Sequence, residues 1–338
     1  MSVDVACLGE TMALVAPDPP LPLATATRFV LGHAGAESNV AVSLARLGSR
    51  ASWCSRLGDD ALGRRILAEI SAAGVDTAAV QLNTAARTGV LFKDPRAGAT
   101  DVVYYRGGSA ASAMDETDVD RALASKPKML HLSGITPGLS PSCARAVDYT
   151  LERARRDGVL VSFDVNYRAA LWPERDSAAR ALARIAGRCD IVFVGLDEAV
   201  DLWGVTTADS VRALLEQPGV LVVKDGARSA SSYEDGRCSR VDALEVDVLE
   251  PVGAGDAFAA GWLHGRLAGM SAVEALRLGH LVAAGSLSSV TDHSLDSLPP
   301  ATLRGLARDD SPWPPTDWPA PSAQSLRPSN DRSTDDLD

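Results

Sequence analysis

A glycine-rich turn in the C-terminal third of the chain carries a single carboxylate. The segment "EPVGAGDAFAAGW" (250–262) places Gly253 and Gly255 before an alanine-rich helical pattern, with Asp256 at the junction. Glycines let successive backbone N–H groups approach a ligand, and the following helix adds its positive N-terminal dipole, so the turn predicts an anion site. An ordinary strand-to-helix turn also uses glycine, and that simpler interpretation stays open for the turn alone.

The aspartate favours the functional interpretation. A carboxylate repels a bound anion, unless its task is to take a proton from the group that attacks the anion. In phosphoryl transfer to an alcohol, loop amides stabilise the transferred group while an aspartate orients and deprotonates the hydroxyl. The pattern therefore predicts Asp256 as a general base and the amides of Gly253, Ala254 and Gly255 as an anion hole.

A second glycine-containing segment, "GHAGAESNVAVSLARLG" (32–48), precedes a helical pattern that ends at Gly48. Ser38 or Asn39 could be a simple helix N-cap in this segment. Taken together, the two segments resemble the N-terminal and C-terminal signatures of the ribokinase (PfkB) family of carbohydrate kinases. The resemblance covers residues 3 to about 305. It implies a ribokinase-like α/β fold and ATP-dependent phosphorylation of a sugar.

The resemblance also assigns residues to the sugar pocket. In the family the first signature holds substrate hydroxyls, which implies sugar contacts for Gly35, Glu37 and Asn39. Many members have Gly-Gly where this chain has Ala34-Gly35. An aspartate near the end of a late helix contacts the substrate in sugar-acid kinases, and Asp292 occupies that place here.

Within the family the chain is most similar to 2-keto-3-deoxygluconate kinases, which phosphorylate the 6-hydroxyl of a sugar acid. The similarity lies in "AGAESN" (34–39), "YYRGGSAAS" (104–112) and "FDVNYRAALW" (163–172). A protein with a net charge of −11 must place arginines locally to hold an anionic sugar, and Arg106 and Arg168 are the candidates. Either could instead be an ordinary surface arginine. Tyr104 and Tyr105 alternate on a strand, and by similarity Tyr105 is predicted to face the sugar.

Nucleotide contacts are implied at the next strand ends. "VVKDGARSA" (222–230) resembles the family's segment before the ATP pocket, and so Lys224, Gly226 and Ala227 are assigned to the nucleotide. The alternative is a plain strand and turn, with Asp225-Gly226 as its turn signal. The resemblance adds Asn166 and Arg168 to the nucleotide contacts.

Two further positions concern cations. The family motif that organises Mg²⁺ and phosphate through water begins with asparagine and ends in glutamate. Here Gly195 replaces the asparagine, so only Glu198 is assigned to the metal, indirectly. Glu250 stands where many members have an aspartate of a monovalent-cation site, which puts activation by K⁺ in doubt.

Alternating apolar runs and helical patterns indicate how these residues are positioned. From about residue 120, short runs rich in Val, Ile and Leu predict buried strands, and the segments between them predict helices. The predicted strands are 129–135, 159–166, 190–195 and 220–226, and the predicted helices are 141–157, 177–188 and 208–216. This order predicts a mostly parallel sheet with helices on both sides.

Two regions depart from that alternation. Residues 88–106 predict a hairpin, and with residues 8–32 they predict a small β-layer beside the main sheet. We therefore expect a kinase domain over 1–308, with a lid from about 8–35 and 88–110. The Pro-, Ser- and Asp-rich segment 309–338 predicts a disordered tail, although its two tryptophans could dock on the body.

Composition narrows the protein class. The five cysteines are scattered without a CxxC pair, which argues against a disulfide framework or a zinc site. The acidic balance argues against nucleic-acid binding. We find neither a signal-peptide pattern nor an apolar run long enough for a membrane helix, so a cytoplasmic location is expected.

Alternatives remain at the level of substrate and class. A fructokinase or other neutral-sugar kinase, or a nucleoside kinase, would have less need of the two arginines, and a nucleoside pocket would need aromatic walls in a chain that is 5% aromatic. A non-catalytic sugar or nucleotide sensor is a third alternative. Exposed lid strands predict a homodimer through the lids, or a higher homo-oligomer. The sequence does not distinguish the gluconate-derived from the galactonate-derived sugar acid.

Overall fold

Short apolar segments form the strands that position the candidate site. The computed structural model describes residues 3–96, 99–246, 248, 252–287, 298–309 and 313. In chain order the strands are β1 (Val5–Leu8), β2 (Met12–Pro17), β3 (Phe29–Ala34), β4 (Ala51–Cys54), β5 (Arg56–Gly58), β6 (Gln81–Asn83), β7 (Val90–Arg96), β8 (Ala99–Tyr105), β9 (Met129–Ser133), β10 (Leu160–Asp164), β11 (Ile191–Gly195), β12 (Val220–Asp225), β13 (Ser229–Glu234) and β14 (Arg237–Asp242).

Eight of these strands form the central sheet, in the order β14-β13-β12-β11-β10-β9-β1-β4. The strands from β12 to β4 run parallel, which confirms the predicted mostly parallel sheet. β13 and β14 pair antiparallel at one edge. In the parallel part, Ser133 pairs with Asp164 and Gly195 with Lys224, so the carboxyl ends of four neighbouring strands lie along one edge.

Helices cover both faces of this sheet. They are α1 (Ala36–Arg46), α2 (Ala61–Ala72), α3 (Glu116–Ala124), α4 (Ile135–Leu139), α5 (Pro141–Asp157), α6 (Arg175–Ala186), α7 (Leu196–Trp203), α8 (Ala208–Leu214), α9 (Ala254–Leu267), α10 (Ala272–Leu287) and α11 (Pro300–Arg308). The bounds of α5 match the sequence prediction, because Ser140 caps its first turn and Gly158 adopts a left-handed conformation (φ 69°) after its last.

The sheet separates two apolar clusters. One contains Val192 and Val194 of β11 with side chains of α5 and α6, and the other contains Phe193 with Trp262 of α9 and side chains of α1 and α2. Alternate residues of a buried strand point to opposite faces, so a run that is apolar throughout can serve both clusters. This explains why the strand segments lack polar alternation.

A separate four-stranded sheet has the order β3-β2-β7-β8, which we call the small sheet. β7 and β8 pair antiparallel from Val90 opposite Tyr105 to Arg96 opposite Ala99, so the predicted hairpin is present. β2 pairs with β3 antiparallel and with β7 parallel. The N-terminal segment and the hairpin thus form one β-layer outside the central sheet, as predicted.

All five cysteines are free, four are buried, and Cys238 is exposed. In the ranges that the structure describes, no helix is both long and apolar enough to cross a membrane.

Of the tail, Trp313 is described: its indole Nε1 donates to the carbonyl of Asp242 (2.8 Å), and the Arg277 guanidinium stacks on its ring (4.1 Å). At least one tail tryptophan therefore docks on the body, and the remainder of the predicted tail lies outside the described residues.

Candidate functional site

Several polar residues converge where the parallel strands end. Asp164 ends β10, Asn166 follows it, and Lys224 lies near the end of β12. The N-termini of α1 and α9 face the same region, because Asn39 of α1 donates to Asp256 of α9 across 217 residues of sequence (2.9 Å). Open α/β sheets bind ligands at this edge, and the placement is the one expected of an active site.

The glycine turn begins α9 without a side-chain cap. Gly253 is the N-cap residue and adopts a left-handed conformation (φ 88°, ψ −13°), which glycine adopts without strain. The amides of a helix's first turn have no partners within the helix, and Gly253, as the N-cap residue, has no side chain with which to cap them. This leaves the N-terminus of α9 suited to an anion.

Asp256 lies in the first turn of that helix and is held from two directions. Asn39 donates its side-chain amide to Oδ2 (2.9 Å), and the amide of Asn166 lies 3.4 Å from Oδ1. Burial and then the charge of Asp164 raise the pKa of Asp256 to about 7, against the hydrogen bond from Asn39, which lowers it. The carboxylate is therefore oriented and has a proton affinity suited to accepting a proton near neutral pH.

An aspartate that the sequence analysis did not single out lies beside this carboxylate. Asp164 Oδ2 accepts from Lys224 Nζ at 2.6 Å, and the side chains are 4% and 18% exposed. Burial lowers the pKa of Lys224, but nearby carboxylates, Asp164 first, outweigh this and raise the pKa above its ordinary value. Lys224 also reaches the anion site, because a Cβ built on Gly255 would lie 3.4 Å from Nζ.

A sequence signal for Asp164 existed. It lies two residues before Asn166 in "FDVN", at the end of a strand whose last four residues are buried. A buried carboxylate at a strand end requires a partner, but only the fold shows that Lys224 supplies it.

Glu198 and Arg168 lie on the outer side of this cluster. Glu198 Oε2 accepts from the backbone N–H of Gly195 (3.1 Å), and Arg168 Nη1 lies 3.7 Å from its other oxygen. Burial and then the charge of Asp164 raise the pKa of Glu198. The Arg168 side chain is 45% exposed, so part of it is accessible to a ligand.

Arg106 lies in a different environment, between the small sheet and the core. Its Nε donates to Glu10 Oε2 (2.8 Å), and the side chains of Arg106 and Glu10 are 10% and 0% exposed. The sequence analysis named Arg106 as a candidate to bind the sugar acid and did not identify Glu10 as its partner. The pair joins residues 96 positions apart, a proximity for which the sequence carries no signal.

The two tyrosines before Arg106 lie on opposite faces of β8. The guanidinium of Arg106 lies 5.6 Å from the ring centre of Tyr104. Tyr105 instead packs edge-on against Phe92 of β7 (5.6 Å) and is 66% exposed. The sequence analysis predicted that Tyr105 faces the sugar, and this stays a prediction; Tyr104 is the tyrosine on the same side as Arg106.

The first signature divides into exposed and buried parts. Gly35, and neither Ser38 nor Asn39, is the N-cap residue of α1, and its side-chain-free Cα lies against the backbone of residues 10 and 11. Glu37 is fully buried, and its Oε1 accepts from the Ser133 N–H (3.1 Å) and hydroxyl (2.7 Å). The carboxylate thus points into the protein, and the predicted contact of Glu37 with a sugar stays a prediction.

The remaining predicted positions are partly described. Gly226 and Ala227 form the exposed turn of the β12–β13 hairpin, with Gly226 at φ 53°. This is the strand and turn of the alternative interpretation, and it does not by itself indicate a nucleotide. Asp292 and Glu250 lie outside the described residues.

The arrangement places three acidic side chains beside two basic ones. It also contains oxygen atoms that could coordinate a metal ion. Asp164 Oδ1 and Asn166 Oδ1 are buried and have no hydrogen-bond partner among the residues that the structure describes. Such oxygens suit a hard cation, although among the described residues no group of three His, Cys, Asp or Glu side chains forms a metal cluster. An anion site, a held carboxylate and oxygen donors together can support phosphoryl transfer.

Comparison with known proteins agrees with this chemistry. The model of the "pfkB family carbohydrate kinase" matches residues 3–296. A 2-dehydro-3-deoxygluconokinase from Bacillus subtilis (strain 168) is 34% identical over 307 residues, covering 88% of this chain and 93% of that protein. One from Thermoproteus tenax is 35% identical over 291 residues, covering 84% and 88%.

A solved structure shows the same fold. The PfkB protein from Polaromonas sp. JS666 superposes with a TM-score of 0.79 at 36% identity, covering 86% of this chain and 97% of that one. The central sheet, the small sheet and the glycine-initiated helix all lie within the matched range of the family model. The chain therefore belongs to the pfkB family of carbohydrate kinases.

Proposed function

We propose that this carbohydrate kinase transfers the γ-phosphoryl group of ATP to the 6-hydroxyl of 2-keto-3-deoxygluconate. The observation that carries the proposal is Asp256 in the first turn of a glycine-initiated, uncapped helix, held by Asn39 at 2.9 Å. The names of the two relatives support the sugar acid as acceptor. The gluconate-derived and galactonate-derived epimers differ by one hydroxyl, and the assay below includes both.

In the proposed reaction Asp256 accepts the proton of the sugar hydroxyl as its oxygen attacks the γ-phosphorus. The new P–O bond forms while the bond to the β–γ bridging oxygen breaks, and ADP leaves with that electron pair. The first-turn amides of α9, from Gly253 to Gly255, stabilise charge on the transferred phosphoryl group. Lys224 adds a positive charge beside the same turn, consistent with its 3.4 Å approach to the Cβ position of Gly255.

Mg²⁺ fits the oxygen donors at this edge of the sheet. Asp164 Oδ1 and Asn166 Oδ1 have no other hydrogen-bond partner, and Glu198 lies nearby. Few protein ligands are expected, because Mg²⁺ in kinases keeps several waters and binds mainly to the phosphates. When bound, the ion neutralises charge on the phosphates of ATP. Gly226 and Ala227 are proposed to lie along the nucleotide.

The sugar acid is proposed to lie between the small sheet and the N-terminus of α9. Arg168, with its exposed guanidinium, and Arg106 bind the carboxylate, while Tyr104 replaces Tyr105 as the tyrosine beside the sugar. Gly35 and Asn39 border the pocket. Glu37 stabilises the position of these two residues, because its hydrogen bonds with Ser133 join the first turn of α1 to the end of β9. The small sheet acts as a lid that excludes water from the reaction.

A coupled ADP-release assay tests the proposal. Mg-ATP is supplied with 2-keto-3-deoxygluconate, its galactonate epimer, fructose, ribose or adenosine, and wild type is compared with Arg168→Ala and Asp256→Asn. We expect turnover with a sugar acid, a KM for it raised roughly 10- to 100-fold by Arg168→Ala, and turnover lowered about 10²- to 10⁴-fold by Asp256→Asn.

The matched control for the base is Asp197→Asn, which removes an exposed carboxylate of α7 at the same sheet edge. It should retain full turnover, and Asp256→Asn should still bind ATP in calorimetry. Preference for fructose or ribose, with Arg168→Ala indifferent, would overturn the sugar-acid assignment in favour of a neutral-sugar kinase. If the protein releases ADP with none of the acceptors but binds a sugar tightly in the absence of ATP, it is a sensor.

A further inference from the structure

Four chain segments connect the small sheet to the core. One residue belongs to one of these segments and lies close to the other three. The segments are 9–11 before β2, 34–35 at the end of β3, 88–89 before β7 and 106–109 after β8. Glu10 belongs to the first. Its carbonyl oxygen lies 2.3 Å from the position that a Cβ on Gly35 would take, and its Oε1 lies 3.0 Å from the corresponding position on Gly89.

The fourth segment binds the carboxylate directly. Arg106 donates to Glu10 Oε2 through both Nε and Nη2, and the Ser109 hydroxyl donates to Oε1. Both carboxylate oxygens are thereby occupied. Because the side chain of Glu10 is 0% exposed, these hydrogen bonds take the place of the hydrogen bonds that water would make to the carboxylate.

The geometry of Arg106 leaves part of its guanidinium for another anion. The Nε and Nη2 groups are directed at Glu10, and these two hydrogen bonds leave Nη1 and the second hydrogen of Nη2 on another edge of the guanidinium. A guanidinium held along one edge presents the other in a fixed orientation, which favours bidentate binding of a carboxylate.

We propose that Glu10 is a positioning residue that fixes Arg106 for the sugar acid and holds the small sheet to the core. Glu10 does not touch the substrate. The inference rests on the proposed function in assigning Arg106 to the sugar carboxylate, but the ion pair itself does not depend on that assignment.

Glu10→Gln tests the positioning role, because glutamine keeps the shape of the side chain and its hydrogen bond with Arg106 but loses the charge. The KM is measured for whichever acceptor the wild type phosphorylates best, together with the KM for ATP. We expect the KM for the sugar to rise roughly tenfold or more, with the KM for ATP and kcat changed by less than about threefold. The positioning role would be refuted if the KM for the sugar did not change, or if the KM for ATP and kcat worsened by the same factor as the KM for the sugar.

Asp118→Asn is the matched control. Asp118 is equally buried and also paired with arginines, Arg56 at 2.7 Å and Arg121, but it lies in α3. The control should lower the melting temperature as much as Glu10→Gln does, while the KM for the sugar stays at the wild-type value. A raised sugar KM in the control would show that loss of stability alone explains the effect.

A double-mutant cycle keeps the two proposals separable. Glu10→Gln, Arg106→Gln and the double variant are compared by thermal unfolding without ligand. We expect the double variant to be more stable than Arg106→Gln alone, because Arg106→Gln leaves the buried carboxylate of Glu10 without its cation. If stability losses simply add, the ion pair does not couple the two segments. If the cycle shows coupling and the sugar acid is not a substrate, the proposed function fails and the anchoring by Glu10 stands.

Discussion

At the scale of the residue, the proton affinity of Asp256 is set by neighbours with opposite effects. Burial and Asp164 raise the pKa of Asp256 to about 7, and the hydrogen bond from Asn39 lowers it. The base form of a group with a raised pKa is populated only above that pKa. For the free enzyme, kcat/KM should therefore fall as the pH decreases through about 7.

We call this fall of kcat/KM at low pH the acid limb of the pH profile. Two substitutions should move the acid limb in opposite directions. Asn39→Ala removes a donor that stabilises the charged form, so the pKa of Asp256 rises and the limb moves to higher pH. Asp164→Asn removes a neighbouring negative charge, so the pKa falls and the limb moves to lower pH. The profile is measured as kcat/KM for the sugar from pH 5 to 9, a range chosen around the value of about 7.

Both variants are expected to be slower than wild type, so the position of the limb and not its height is the readout. Asp197→Asn, which alters an exposed carboxylate at the same edge, should leave the limb unmoved. Shifts in the same direction for Asn39→Ala and Asp164→Asn would contradict the assignment of the limb to Asp256.

At the scale of the element, the position of α9 depends on its close packing against α10. A Cβ on Gly261 of α9 would lie 2.8 Å from the backbone oxygen of Leu278 and 2.9 Å from a methyl of Val282. Glycine is the residue that permits this approach, and the backbone oxygen cannot move aside as a flexible side chain could. Since α9 carries Asp256 in its first turn, the packing also positions the base.

We expect Gly261→Ala to destabilise the protein by about 1–3 kcal/mol, seen as a melting temperature lower by roughly 2–6 °C. Gly305→Ala is the control, because Gly305 lies in α11 with nothing within 4 Å of its Cβ position. That substitution should be neutral or stabilising by up to about 1 kcal/mol. Equal melting temperatures for the two variants in calorimetry would show that α9 and α10 can separate without cost.

At the scale of the whole molecule, the small sheet exposes apolar side chains on both of its edge strands. Phe29, Val30 and Leu31 of β3 are 43–51% exposed, and Val103 and Tyr105 of β8 are 39% and 66% exposed. Unpaired edges with exposed apolar residues invite pairing with a second chain. We propose that two copies associate through their small sheets as a homodimer.

Sedimentation velocity tests this assembly. The wild type should sediment as a dimer, and Leu31→Asp combined with Val103→Asp should shift it towards the monomer by placing charge in the interface. Leu160→Asp, at a 46% exposed position of the central sheet, is the control and should leave the dimer intact. A wild type that sediments as a monomer over a wide concentration range would contradict the proposal.

Local patterns in the sequence were sufficient for much of the architecture. The helix over 141–157 and the hairpin over 88–106 were predicted because caps, turns and periodicity act within a few residues. The antiparallel strands β13 and β14 were missed because their residues, "SASSYEDGRCSRVD", are mostly polar. The Asp235-Gly236 pair between them was a usable hairpin signal.

The sequence by itself determined the family, the parallel sheet and the glycine turn that carries Asp256, since each depends on residues that are close in the chain. Only the tertiary structure decided how the charges are paired. The Asn39–Asp256, Asp164–Lys224 and Glu10–Arg106 contacts join residues 217, 60 and 96 positions apart. Burial removes water from such groups, and which partner replaces it depends on the packing of elements that are distant in the chain.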